Sequence, residues 1–269
     1  GGRLDVAIVG CRRAWFGAGR TAWCPYAAAM GTDAADAPDV PDLLTGIATT
    51  RAIRRFAADP IPDDDLSTIM WHATRAPSGT NRQPTRFVVL RDGPTAAKAK
   101  AVLATGFRAG WAHKQSDAGY GSGSALDPTS RKGRQRAAME HFVEHFEEVP
   151  VVVLPCLVRY REANPFEGSS VYPACQNLLL AARALGYGGV MTGWHATVES
   201  ELRQILSIPD EVAISATIPL GRPLGNHGPV RRLPLADVVF DGAWNHSAAW
   251  AVDPEGTRFA GPPPAATPA

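Results

Sequence analysis

The order of apolar and polar residues predicts a chain of alternating helices and strands. Nearly continuous apolar runs over residues 86–90, 151–158 and 212–220 are typical of strands, the first two of them covered on both faces. Apolar residues three and four positions apart indicate helices between the runs, over residues 63–73, 96–111, 131–148, 172–185 and 199–206. The pattern therefore predicts the elements and leaves their arrangement open.

Proline and glycine mark special positions within these elements. Pro155 lies inside the second strand run, where its missing N–H predicts a bulge or a strand boundary. Gly186 follows the fourth predicted helix and is expected to form its C-terminal cap. The next residues, Tyr187 to Gly193, include three glycines, and such an open backbone can come close to a flat ring.

The loop between the first of these helices and the first strand contains many groups that bind polar ligands. Pro77 and Pro84 restrict its backbone, while Ser78, Asn81 and Gln83 can donate to and accept from a planar, polar molecule. The same composition is typical of a connector whose amides bind its own backbone. Both interpretations stay open from composition alone.

Composition and charge narrow the class of protein. The chain has 269 residues, 45% of them hydrophobic, which is enough for one sizeable core. The net charge of +1 predicts neither nucleic acid nor an anionic membrane as a partner. The four widely spaced cysteines, Cys11, Cys24, Cys156 and Cys175, favour free thiols in a reducing cytoplasm over a disulfide framework or a zinc site. No apolar run approaches the roughly 20 residues of a membrane-spanning helix.

Two further segments allow more than one interpretation. Residues 116–130 form a Gly/Ser-rich loop with two possible roles. Either Trp111 and Tyr120 close over a flat ligand, or the loop is solvated and Trp111 packs beneath it. Residues 141–145 read His-Phe-Val-Glu-His, a spacing found in some zinc enzymes. Because no third-ligand pattern accompanies that motif, we assign no metal site.

The two ends of the chain differ from its middle. Residues 1–42 are expected to be a disordered extension or an addition from cloning, since they are rich in Gly, Ala and Arg and end in an acidic, proline-bearing linker. We expect one domain over residues 43–245. Residues 246–269, which end in a Pro/Ala-rich stretch, are expected to be a disordered tail.

Four blocks occur in a fixed order along the chain. They are Arg51-Ala52-Ile53-Arg54-Arg55-Phe56, the proline-bounded loop, the helix beginning Tyr172-Pro173-Ala174-Cys175-Gln176-Asn177, and Arg231-Arg232-Leu233-Pro234-Leu235. Together they resemble the FMN-dependent nitroreductase family, over about residues 43–240. The resemblance implies an α+β fold, a three-layer sandwich with a mostly antiparallel sheet flanked by helices. It also implies a homodimer with FMN at the subunit interface.

The resemblance assigns cofactor-binding roles to ten residues. Arg51, Arg54 and Arg232 are the cations for the FMN phosphate and for the reduced flavin, and Ala52 stands where the family often has serine. Side-chain donors and ring-lining backbone groups are expected from Ser78, Asn81, Gln83, Met191, Thr192 and Gly193. The alternative for the arginines is a solvated basic face that is ion-paired with the acidic residues 63–65.

The implied function is FMN-dependent oxidation of NADH or NADPH. In the expected ping-pong reaction a reduced nicotinamide transfers hydride to the flavin, and a flat acceptor such as a nitroaromatic or a quinone then takes the electrons. No side chain need act as nucleophile or acid, so no catalytic residue is assigned. The open alternatives are a reductive dehalogenase, a flavin-fragmenting enzyme, and a flavin-sequestering protein without turnover.

Overall fold

A five-stranded sheet lies between two groups of helices in the computed structural model, which describes residues 41–261. The strands are β1 Thr85–Leu90, β2 Val151–Val158, β3 Gly188–Gly189, β4 Val212–Ile214 and β5 Ile218–Gly221. The helices are α1 Leu43–Thr49, α2 Asp63–Ala73, α3 Pro94–Asp117, α4 Arg131–Glu144, α5 Tyr172–Ala184, α6 Glu199–Leu206 and α7 Leu235–Val238. The expected extension over residues 1–42 lies almost wholly outside the described residues, as does the end of the expected tail, residues 262–269.

Strand β2 is the centre of the sheet, and all of its pairings are antiparallel. β1 pairs along one side of β2, with Phe87 opposite Pro155, while β5 and β4 share the other side. The carbonyl of Pro155 accepts from the N–H of Ser215 at 2.8 Å, between the two partner strands. β2 continues through Pro155, so a strand boundary at this position is wrong; the irregularity lies on the partner side, where the register with β2 shifts by one residue between β4 and β5. The missing N–H interrupts neither ladder.

Side chains alternate across β2 and build a hydrophobic cluster on each face of the sheet. Val152, Leu154 and Cys156 belong to the cluster with α3, α4 and α6, whereas Val151 and Val153 belong to the cluster with α2 and α5. Helices therefore cover both faces of a mostly antiparallel sheet. The prediction of an α+β, three-layer sandwich is confirmed.

Specific caps determine where the helices near the candidate site begin and end. At the start of α1, the Asp42 carboxylate accepts from the N–H groups of Leu44 and Thr45, at 3.0 and 3.1 Å. α5 ends as expected, because Gly186 takes a φ of 80° and the N–H of Tyr187 donates to the Ala182 carbonyl at 2.8 Å. This turn leads the chain directly from α5 into β3.

The prediction of a single strand over residues 212–220 is wrong, because the chain forms two strands there, β4 and β5, with a break between them. Within the break, the N–H of Ser215 donates to Pro155 on β2, whereas the N–H of Thr217 donates to the Thr192 carbonyl at 2.8 Å. The backbone therefore changes partner between these residues. A continuously apolar sequence carries no signal for such a change.

The rings of Trp111 and Tyr120 lie in the core. They are 5% and 8% exposed, their centroids are 5.1 Å apart, and both belong to the cluster under α3 and α4. The interpretation of Trp111 as a packed residue is confirmed. The alternative, in which Trp111 and Tyr120 close over a flat ligand, is wrong. α3 is also longer than expected and ends at Asp117.

Part of the expected tail contacts the body of the domain. Arg232 forms a bridge with Phe259, and the N–H of Ala260 donates to the Arg232 carbonyl at 2.7 Å. Ala248 and Ala251 are buried. The division of the chain at residue 245 stays a prediction, but the contacts bring residues 258–260 beside the basic segment at Arg232.

The buried His195 predicts that stability falls in mild acid. Its Nε2 lies 2.9 Å from the Ile214 carbonyl oxygen, and burial lowers its pKa, with smaller opposing effects from that hydrogen bond and from Glu199. The unfolded chain therefore binds a proton more readily, near pH ~6.5, so stability present above that pH is lost as the pH falls below it. We expect the drop in Tm between pH 7.5 and 5.5 to be smaller in His195→Gln than in the wild type. An equal drop in both proteins contradicts this role.

Candidate functional site

The first candidate site is a cavity of about 490 Å³, bordered by α1, α5 and the chain that leaves β3. Apolar side chains make most of its wall, and its larger polar side chains are those of Arg51, Gln176 and Arg232. We call it the apolar cavity. Its volume lies within the range of about 300–1,000 Å³ that is usual for ligand and cofactor sites.

Backbone hydrogen bonds bring three distant segments to this cavity. The N–H of Ile53 donates to the Gly189 carbonyl at 2.9 Å, which fixes the arginine-rich entry against β3. The N–H of Val230 donates to the Ala48 carbonyl at 3.2 Å, which fixes the basic segment against the end of α1. Arg51 and Arg232 thus line one cavity although they lie 181 positions apart in the sequence.

The two glycines of β3 are required by close packing. A Cβ on Gly188 would lie 2.6 Å from Cγ1 of Ile53, and one on Gly189 would lie 2.6 Å from the carbonyl oxygen of Pro219. Both contacts are far shorter than real Cβ contacts. The glycines therefore allow Ile53 and β5 to approach β3, which sets the floor beneath the apolar cavity.

The segment after β3 presents Met191 to the cavity. Thr192 is held by a pair of hydrogen bonds with Thr217, at 3.0 and 2.8 Å, and the Met191 side chain beside it remains 46% exposed. Met191 lines the apolar cavity, whereas Thr192 and Gly193 are not part of its lining. A Cβ at Gly193 would meet nothing within 4 Å, so this position borders open space.

The second candidate site is a larger open cavity of about 830 Å³, which we call the arginine cavity. It shares Arg51 and Ala52 with the apolar cavity. No carboxylate is part of its lining, and its seven arginines are Arg51, Arg54, Arg55, Arg131, Arg134, Arg231 and Arg258. They come from the entry segment, α4, the basic segment and the chain near residue 258.

These arginines have little acidic counter-charge, although the charge of Arg134 contributes to lowering the pKa of the nearby Asp127 carboxyl. Among residues 41–261, none of the seven forms an ion pair. Burial lowers the pKa of Arg54; the nearby Tyr120 partly opposes this, and the charge of Arg51 adds to it. A guanidinium remains charged even so, and these positive charges repel one another.

The alternative of ion pairs with residues 63–65 is not supported for two of the three carboxylates. Asp63 pairs with Arg91 at 2.6 Å, and Asp65 accepts from the Tyr187 hydroxyl at 2.5 Å. The cations predicted for cofactor binding, Arg51, Arg54 and Arg232, are therefore available to a ligand.

The proline-bounded loop lies apart from both cavities. Thr80, Asn81 and Gln83 have φ values of 50–52°, and the Ser78 hydroxyl accepts from the Gln83 N–H at 2.9 Å. None of Ser78, Asn81 and Gln83 lines the apolar or the arginine cavity. Within the described part of the chain, the Asn81 side-chain amide has no hydrogen-bond partner. The loop thus has a fixed shape and an unused amide, and it contributes to the lining of neither cavity.

One chain therefore brings together only part of the predicted site. Arg51, Ala52, Met191 and Arg232 line the apolar cavity, and Arg54 lines the arginine cavity next to it. Sequence reasoning did not single out Gln176, nor the arginines at 131, 134 and 258. The spacing of Arg131 and Arg134 places them on one face of α4, which is the only local signal for that group.

Among residues 41–261, the cysteines and histidines show no nucleophilic or metal chemistry. Burial raises the pKa of Cys156 to about 11 and that of Cys175 to about 12, so both thiols are protonated at neutral pH. Their reading as small buried apolar residues is confirmed. His145 bonds to Glu148 at 2.9 Å, and residues 41–261 contain no group of three or more His, Cys, Asp or Glu side chains able to hold a metal. The same residues contain no helix with the length and apolarity needed to span a membrane.

Comparison with known proteins identifies the family. The model of the nitroreductase family matches residues 47–222, and the chain belongs to that family of oxidoreductases. A protein named NADH dehydrogenase from Thermus thermophilus is 30% identical over 211 residues, which cover 74% of this chain and 95% of the relative. A protein described as an NADH dehydrogenase/NAD(P)H nitroreductase from Methanothermobacter thermautotrophicus is 27% identical, over 70% of this chain and 80% of the relative.

A solved structure agrees with the family assignment. The crystal structure of a nitroreductase-type protein from Desulfovibrio desulfuricans in complex with FMN superposes with a TM-score of 0.54 and 27% identity. The match covers 76% of this chain and 98% of that chain. The predicted family membership is confirmed.

The apolar cavity suits a flavin nucleotide. Two guanidinium groups, Arg51 and Arg232, can bind a phosphate, and apolar residues such as Leu179 and Val190 offer surface to a ring. Gln176 adds a side-chain amide for a polar ring edge. These are the kinds of group that FMN requires from a protein.

Proposed function

We propose that the chain is an FMN-dependent NAD(P)H oxidoreductase that reduces nitroaromatics, quinones or similar flat acceptors. The observation that carries the proposal is the apolar cavity, where the entry arginine and the basic segment converge beside the exit of β3. FMN, when bound, supplies the hydride transfer. The work of the protein is to bind, orient and shield that group.

Each predicted residue has a role that follows from its position. Arg51 and Arg232 bind the phosphate or the electron-rich ring edge, since planar guanidinium groups form paired hydrogen bonds to oxygens. Met191, next to the Thr192 that Thr217 holds, lines the ring, while the predicted ring contacts of Thr192 and Gly193 stay a prediction. Arg54, with its guanidinium partly buried in the adjoining cavity, adds positive charge near the same segment.

No side chain is proposed as nucleophile or general acid. The buried thiols have raised pKa values, and no titratable side chain lines the apolar cavity apart from its two arginines. The free thiols of Cys156 and Cys175 also support a reducing cytoplasm as the compartment.

We further propose that the active form is a homodimer in which the proline-bounded loop completes the partner's cavity. The support is the separation of Ser78, Asn81 and Gln83 from the apolar cavity of their own chain. A loop of fixed shape with an unused Asn81 amide suits a ligand that another copy presents. Exposed apolar side chains on α1, Leu43, Leu44 and Ile47, lie beside the cavity and suit the same interface.

Removal of either cavity arginine should weaken FMN binding. We expect the Kd for FMN to rise about tenfold or more in Arg51→Gln and in Arg232→Gln, because each loses a charge-assisted hydrogen bond. Arg108→Gln is the matched control, since Arg108 is exposed and pairs with Glu147 at 2.9 Å away from both cavities. Fluorescence titration of flavin-free protein measures all four Kd values. Unchanged affinity in both cavity variants contradicts the assignment.

Mixed dimers should reveal whether each site uses both chains. A chain with Arg51→Gln and a chain with Asn81→Gly are co-expressed, so that mixed dimers form. Glycine is chosen at position 81 because it tolerates the φ of 52° found there. If the loop acts on the partner, a mixed dimer contains one intact site and one doubly altered site. Random pairing makes about half of the dimers mixed, so we expect roughly one FMN for every four chains.

The competing arrangement gives a different count. If Arg51 and Asn81 serve the same chain's site, every site in the mixed dimer carries one change, and no tight FMN site is recovered. A monomer that binds FMN with full affinity also contradicts the proposed homodimer, and size-exclusion chromatography with light scattering detects it.

A further inference from the structure

The arginine cavity holds more positive charge than one flavin phosphate can neutralise. Of its seven arginines, Arg51 and Arg54 already have a proposed role in flavin binding, which leaves five without a proposed ligand: Arg55, Arg131, Arg134, Arg231 and Arg258. A phosphate monoester carries about −1.5 to −2 charges at neutral pH. The other five guanidinium groups, around an open cavity whose lining contains no carboxylate, therefore call for a further ligand with several negative charges.

The arrangement of these arginines is costly to the protein when no anion is bound. Arg131 and Arg134 lie in the first turn of α4, and that turn contains no acidic residue. Positive charge is unfavourable there, because the N-terminus of a helix carries a partial positive charge. Arg54 lies close enough to Arg51 for the charge of Arg51 to lower its pKa. Such mutual repulsion is relieved by an anion between the groups.

The position of the arginine cavity indicates which anion it takes. It adjoins the apolar cavity at Arg51 and Ala52, and Arg231 on its wall is followed in sequence by Arg232 on the wall of the other. A ligand with one end over the flavin can therefore extend its other end among the arginines. The cavity also exposes Leu224, 54% accessible, and guanidinium planes, both of which offer surface to a purine base.

We propose that the arginine cavity binds the adenosine phosphates of the hydride donor, and that its 2′-phosphate makes NADPH the preferred donor over NADH. This inference rests on the proposed function, because the donor's nicotinamide must reach the flavin. NADPH and NADH differ by one phosphate monoester, so discrimination depends on the number of cations within reach of that group. Arg131, Arg134 and Arg258 line the arginine cavity and belong to none of the segments assigned to the flavin, so we assign the 2′-phosphate to them.

Direct binding of nucleotide fragments tests the site without turnover. The probes are adenosine 2′,5′-bisphosphate and 5′-AMP, titrated by calorimetry into FMN-loaded and into flavin-free protein. We expect the bisphosphate to bind about tenfold or more tightly than AMP, and its affinity to fall steeply with salt. The double variant R131Q/R134Q should lose about tenfold in bisphosphate affinity and little in AMP affinity.

Two further variants separate loss of charge from loss of fold. R258Q changes an exposed residue outside any helix and should also weaken bisphosphate binding. R108Q removes the arginine of α3 that pairs with Glu147, and it should leave the affinity for the bisphosphate unchanged. Equal affinity for the two nucleotides, or bisphosphate binding that survives in both R131Q/R134Q and R258Q, overturns the proposal.

Donor kinetics give the second readout. The ratio of kcat/KM for NADPH to that for NADH should exceed about ten in the wild type and fall toward one in R131Q/R134Q, mainly through KM for NADPH. A wild-type ratio near one overturns the inference while FMN binding stands. Conversely, a wild type that binds the bisphosphate but not FMN refutes the proposed flavin function and leaves the fragment-binding result intact.

Discussion

The contact between the arginine-rich entry and β3 determines where both cavities form. Ile53 donates its N–H to Gly189 and fills the space that a side chain on Gly188 would need, 2.6 Å from its Cγ1. The entry therefore lies flat against the sheet. Arg51 and Ala52 reach the apolar cavity from this position, and Arg54 reaches the arginine cavity. A larger residue at either glycine would move the cations at both sites together.

Both cavities have arginines and no carboxylate in their lining. Two of the acidic residues considered as counter-ions for these arginines have other partners, because Asp63 pairs with Arg91 and Asp65 accepts from the Tyr187 hydroxyl. The chain as a whole is almost neutral, with a net charge of +1. Positive charge is thus concentrated locally, which favours small anionic ligands at a defined place over long polyanions along a surface.

Much of the fold could be predicted from the pattern of apolar residues. The runs at β1 and β2 are apolar because helices cover both faces of the sheet, and Gly186 ends α5 because a left-handed residue is needed there. The division of residues 212–220 was not predictable, since it depends on which neighbours Ser215 and Thr217 meet. Trp111 was ambiguous for a similar reason, because burial depends on the packing of α3 against α4.

The part of the candidate site that comes from motifs in a fixed order could be predicted from the sequence. The part formed by residues that meet only in the folded chain could not. Arg51 and Arg232 were assigned from the order of the blocks, and a single cavity holds both. Arg131 and Arg258 approach that region only through α4 and through the chain that bridges to Arg232 at Phe259. No local pattern marks such long-range neighbours. The polar groups of the proline-bounded loop were visible in the sequence, while the position of the loop relative to the cavities could come only from the folded chain.

The central claim is that these basic and apolar segments form a site for a redox-active flavin. The most direct test is the visible spectrum of the purified protein after saturation with FMN and removal of unbound flavin, before and after anaerobic addition of NADPH. We predict a retained absorbance band near about 450 nm that NADPH bleaches. Protein that stays colourless after exposure to excess FMN contradicts the account, and a bound flavin that neither NADPH nor NADH reduces indicates sequestration in place of catalysis.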